Sequence, residues 1–143
     1  MEDNRTLQQG LDEFNKKNEK YFYQRSYTEE GLLFLKSHDA AHVVFGCNTT
    51  LYGEGVVKIW TSFGTTESFW KIVTGYQEVS AVELFSAYSI GHFAKNIFRL
   101  LLAIPKTLYR VKKMSKPWPF YEYAGYLDTP ISKIREEYNI EVL

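Results

Sequence analysis

The chain has 143 residues, 17 of them basic and 17 acidic, so its formal net charge is zero; 45% are hydrophobic and 24% charged. That is the composition of one globular domain with a real core, too short for two cores and too apolar for a disordered chain. The single cysteine, Cys47, excludes an internal disulfide, and no uncharged apolar run of about 18 residues is present to cross a bilayer.

Helical spacing dominates the pattern in chain order. Leu7, Leu11 and Phe14, three and four apart, predict a first amphipathic helix running into the polar "NKKNEK". Thr28, followed by Glu29 and Glu30, reads as the N-cap of a second helix that runs to a C-cap at Gly46. After the short turn "CNTT", a third helix is expected from Leu51 to Phe63, and the chain restarts through Gly64, Thr65 and Thr66 into "ESFWKIVTGY". A long helical pattern follows from Ser80 to Ile104, where Pro105 should kink it or start a new helix. "SKPWPFYEYAGYLD" reads as a rigid aromatic loop. "TPISKIREEY" reads as a last helix with Thr129 as N-cap and Pro130 at the first helical position, burying Ile131, Ile134 and Tyr138. "NIEVL" is the one weak strand candidate. The expected fold is all-α: a multi-helix bundle forming a single domain over residues 1–143.

The second helix carries the chemistry. On a wheel, His38 and His42 share a face with Phe34, Leu35 and Phe45; Asp39 lies about 60° from His42, and Lys36 and Ala40 point the other way. Imidazoles at i and i+4 have the spacing to share one cation, with Asp39 as a third ligand or as a group orienting a histidine. The alternative is a pair of ordinary core histidines. Glu54 shares a face of the third helix with Thr50, Val57, Lys58 and Thr61, opposite a more apolar stripe of Tyr52, Val56, Ile59 and Phe63. It reads either as a first-turn acid paired with Lys58 or as a residue reaching the histidines, because the short turn makes the two helices antiparallel neighbours. The zinc-protease pattern requires Glu directly after the first histidine, and Asp39 stands there. Phosphohydrolases of the histidine–aspartate type need an upstream histidine, and none precedes His38.

"HDAAH", eleven further residues and then "GE" resembles the signature of the coenzyme-Q (ubiquinone) biosynthesis protein Coq-four family. "HVVFG", "NTTLYGEGVVKIW" and the closing "YLDTPISKIREEYNI" are similar to that family's helix, turn, helix and final helix; Ala40 and Ala41 stand where it often has a bulky residue. The resemblance implies a divalent-metal site, zinc by expectation, with His38, Asp39, His42 and Glu54 as ligands. It implies a lyase-type reaction on a polyprenyl hydroxybenzoate-type quinone precursor, a decarboxylation with oxidation of the same ring carbon, in which Asp39 and Glu54 act catalytically. It also implies contact with a membrane surface and with other quinone biosynthesis proteins. A non-catalytic prenyl-lipid carrier or scaffold is the alternative, and a metal-dependent hydrolase of a soluble substrate is a third reading.

Between Leu84 and Tyr121 there is no Asp or Glu, while seven lysines and arginines fall there. His92, Lys95, Asn96, Arg99, Lys106 and Arg110 recur on one helical face if the helix continues through Pro105, with Phe93, Ile97, Leu100, Leu101 and Ile104 on the other. This reads as a solvated basic face, a membrane-surface helix or an anion site, with Lys95 and Arg99 as candidates for binding a substrate head group. No nucleic acid is expected, since the chain is neutral and shows no recognition motif. "MEDNRTLQQGLDEF" has no leader pattern, so the expected location is cytoplasmic, or peripheral on the inner face of the membrane.

Overall fold

The computed structural model describes residues 4–22, 27–79 and 90–143. Six α-helices account for most of them, joined by turns and two isolated backbone bridges: α1 (Leu7–Phe22), α2 (Glu29–Phe45), α3 (Leu51–Gly64), α4 (Phe69–Val79), α5 (Ile90–Lys113) and α6 (Ile131–Tyr138). The all-α expectation holds. α2 is the hub: α1, α3, α4 and α6 all pack on it, and α5 lies along α3.

Local chemistry explains most boundaries. Thr6 and Gln9 cap α1 reciprocally, the Thr6 hydroxyl accepting from the Gln9 amide (3.2 Å) and the Gln9 side chain from the Thr6 amide (3.0 Å). Thr28 caps α2 as expected, accepting from the Gly31 amide at 3.0 Å. Gly46 ends it with φ 67°, a left-handed conformation that a Cβ penalises; the amides of Gly46 and Cys47 close back on Val43 and His42. At the end of the turn, Thr50 caps α3 through the Gly53 amide at 3.2 Å.

Several expectations change in three dimensions. α3 turns Val56, Val57, Trp60 and Thr61 to the core, whereas Ile59 is half-buried and Phe63 is exposed, so the buried stripe runs beside Glu54 rather than opposite it. Trp60 stacks on Phe45 of α2 at 4.6 Å, and this ring pair fixes the rotation of α3. Ala40 is buried too, because α2 has neighbours on both sides. Pro105 neither ends nor restarts a helix: α5 continues through it to Lys113. The amide that proline lacks would have met the Leu101 carbonyl, on a side of the helix open to solvent, where water can serve instead. Residues 80–89, where the long helix was expected to begin, lie outside the described residues. At α6 the cap position belongs to Pro130, not Thr129. Thr129 instead accepts from the Leu7 amide (3.0 Å), and the Ile131 amide donates to the Arg5 carbonyl (2.8 Å), so the starts of α1 and α6 satisfy each other. "NIEVL" is not a strand; Asn139, at φ 51°, ends α6 and turns Ile140 into the core. The loop between α5 and α6 buries Trp118 and Phe120 completely.

Candidate metal centre

α2 and α3 meet at His38, His42 and Glu54. One ligand atom from each of the three lies within 4.8 Å of the others, and these are the residues among those described that form such a group. His42 Nε2 is 3.2 Å from Glu54 Oε1, and His38 Nε2 is 3.7 Å from Oε2. The histidines are buried; Glu54 keeps one-fifth of its side chain exposed. Three residues of the central helix and the first turn of its antiparallel neighbour therefore converge because the Gly46–Thr50 turn is short.

The protonation pattern gives the site its meaning. His42 Nδ1 lies 3.1 Å from the Cys47 carbonyl, which can only accept, so Nδ1 carries a proton and Nε2 is the ring atom turned toward Glu54. Burial, then the neighbouring His42 and Lys58, outweigh the pull of Glu54 and hold His38 down to about 3, so it is neutral near pH 7. Neither Nε2 has a hydrogen-bond partner of acceptable geometry, despite the closeness of the carboxylate. Burial alone would raise Glu54, but the contact with His42 and the nearness of His38 and Lys58 keep it low, hence anionic. Two buried ring nitrogens without hydrogen-bond partners beside a carboxylate are costly to leave so. A cation at their centre removes that cost. Two imidazoles and one carboxylate also form the three-ligand set of zinc sites that keep a position open for substrate or water.

Aromatic rings wall the cluster. Phe14 stacks on His42 at 5.1 Å, Phe34 lies over His38 at 6.4 Å, and Tyr76 meets His38 edge-on at 5.2 Å. The Thr61 hydroxyl spends its hydrogen on the Val57 and Lys58 carbonyls, so the Tyr76 hydroxyl donates to it at 3.0 Å. Lys58 is held over the Tyr76 ring at 4.9 Å, and it is the histidines, not Lys58, that take the ion-pair distances to Glu54.

Asp39 is not part of the converging group. It follows His38 by one residue, about 100° around the helix, and its short side chain cannot turn back across that angle. It is buried all the same, and burial followed by the charge of Glu54 pushes it up to about 8, so it is mostly protonated at neutral pH. Lys95 and Arg99 are exposed on α5, and Arg99 stacks over Tyr52 at 4.7 Å. Neither belongs to the cluster. The orienting role of the Cys47 carbonyl and the ring wall had no signal in the motif itself; the C-cap at Gly46 is the one feature that announced a turn there.

No family model, curated protein or solved structure matches this chain. Among the described residues no helix is long and apolar enough to cross a membrane.

Proposed function

We propose that this chain binds a zinc-type divalent ion through His38, His42 and Glu54 and acts in ubiquinone biosynthesis on a polyprenyl hydroxybenzoate-type precursor. One observation carries the metal reading: the buried Nε2 atoms of His38 and His42 lack hydrogen-bond partners and converge with the Glu54 carboxylate. The pathway rests on the resemblance of the "HDAAH…GE" signature to the Coq-four family. Such an ion supplies Lewis acidity toward the ring's oxygen substituents, spreading the negative charge that develops as carbon dioxide leaves. In the overall change the ring–carboxylate bond breaks with loss of carbon dioxide, external dioxygen takes up two electrons and two protons to become hydrogen peroxide, and water supplies the oxygen that the same ring carbon gains. Glu54 and the histidines fix the geometry, and the His42–Cys47 contact keeps Nε2 pointed inward. Asp39, protonated near pH 7 and next to a ligand, is the group with a proton to give. Phe14, Phe34 and Tyr76 exclude water from the ligand atoms.

The test begins with elemental analysis of the purified protein beside His38→Ala/His42→Ala. About one equivalent of metal in the wild type, lost in the double variant, is expected; no metal in either after zinc is added back would sink the reading. Turnover of a prenylated hydroxybenzoate, lost in Glu54→Ala, then separates an enzyme from a non-catalytic prenyl-lipid carrier.

A further inference from the structure

The last turn of α2, which carries His42, is held from outside the helix. The final carbonyls of a helix find no amide within it. Here the turn at Gly46 returns the Gly46 amide to Val43, at a long 3.4 Å, and the Cys47 amide to His42, at 2.9 Å. Arg135, from α6, completes the set. Its Nε donates to the Val44 carbonyl at 2.8 Å and its Nη2 to the Val43 carbonyl at 3.0 Å. The two N–H groups lie on one edge of the planar guanidinium, so together they fix a direction as well as a distance. The charge also sits at the negative end of the α2 dipole. α6 gives the arginine a firm base, because Ile131, Ile134 and Tyr138 are buried.

The route from Arg135 to the cluster is short. The His42 ring is oriented by the Cys47 carbonyl, 3.1 Å from Nδ1, which lies just beyond Gly46. A glycine at φ 67° is a soft pivot, since glycine reaches other backbone angles at little cost. Gly46 by itself therefore does not fix where the Cys47 carbonyl points. The far end of the turn is tied to α1, where the Thr49 hydroxyl donates to Asn18 Oδ1 at 2.9 Å. Its near end is tied by Arg135, whose Nη2 lies against Gly46, 3.4 Å from where a Cβ would stand. With both ends tied the Cys47 carbonyl is held in place, and His42 Nε2 is turned toward Glu54 at 3.2 Å.

We propose that Arg135 is a positioning residue for the candidate metal centre: its fork on the Val43 and Val44 carbonyls sets the Cys47 carbonyl, and through it the direction of the His42 ring. The effect on metal affinity rests on His38, His42 and Glu54 binding an ion; the effect on the ring does not.

Arg135→Lys and Arg135→Met test this in the full chain. Lysine keeps the charge at the end of α2 but offers no planar pair of donors, so Arg135→Lys should melt close to wild type in chelator. Both variants should nevertheless bind zinc about tenfold or more weakly in competition with a chromophoric chelator. In zinc-free protein carrying isotopically labelled histidine, the His42 Nδ1–H resonance is assigned by its loss in His42→Gln. It should lie downfield and exchange slowly in the wild type, and should move upfield and exchange faster in both variants. An arginine that only stabilises the fold predicts otherwise: Arg135→Lys would keep the wild-type Nδ1–H resonance and zinc affinity, and that result overturns the proposal. If Arg135→Met does not fold, the lysine variant decides alone. A wild type that takes up no zinc sinks the metal reading, and the Nδ1–H resonance then decides the role of Arg135 without it.

Discussion

Replacing Glu54 by Gln separates a metal centre from a buried ion pair, because the two predict opposite signs. If His42 were an imidazolium paired with Glu54 at 3.2 Å, the amide would strand a buried charge and cost about 3–5 kcal/mol. If the rings are neutral, the metal-free wild type instead opposes lone pairs with a carboxylate. Gln keeps the shape and offers an N–H to His42 Nε2, so the metal-free variant should be equal to wild type or more stable by about 1 kcal/mol. Zinc acts in the other direction. At a free concentration a hundredfold above Kd, it should stabilise the wild type by about 2.7 kcal/mol, and Glu54→Gln by far less. For a chain of this length each kcal/mol moves Tm by roughly 3–4 °C, so the wild-type shift is about 10 °C. Thermal melts in chelator and in buffered zinc measure both effects. A variant that melts far below wild type in chelator, with zinc shifting neither protein, would refute the argument and leave a structural ion pair.

The metal-free protein should also show an unusual pH profile. His38 stays neutral in the fold down to about 3 while its unfolded pKa is 6.5, so its contribution is complete above 6.5 and is lost as pH falls. Asp39 holds its proton in the fold up to about 8 against 3.8 unfolded, so its contribution is lost as pH rises through that interval. Between 3.8 and 6.5 the two slopes oppose each other, and stability should be nearly flat; from 6.5 to 8 it should fall by about 1.4 kcal/mol per pH unit. Urea unfolding in chelator at several pH values checks this, and Asp39→Asn should abolish the decline above pH 6.5. Pro105→Ala restores an amide to the middle of α5 on an exposed side, and should raise stability by up to about 3 kcal/mol. A lower denaturation midpoint for that variant would mean that the proline's geometry is required by the packing of α5 on α3.

Caps, periods and the histidine spacing are local properties, and they were legible without the fold. Thr28 and Gly46 bound α2 because a threonine oxygen and a glycine in the left-handed region act on their own neighbours in sequence. His38 and His42 share a face because the helix repeats every 3.6 residues. Which face of a helix is buried is not local. α3 could present either of two stripes, and the stacking of Trp60 on Phe45 chose the one beside Glu54, which brought that carboxylate to the histidines. Asp39 satisfied the motif but not the geometry, since a shared helix face does not guarantee a shared centre. α5 shows the same limit from the other side: periodicity correctly makes it amphipathic, yet only its packing against α3 shows that small polar residues face inward and the large apolar ones outward. The physical reason is common to these cases. The sequence by itself sets how side chains are distributed around each helix, through short-range sterics and hydrogen bonds, whereas the rotation of each helix is set by the summed burial of all its neighbours.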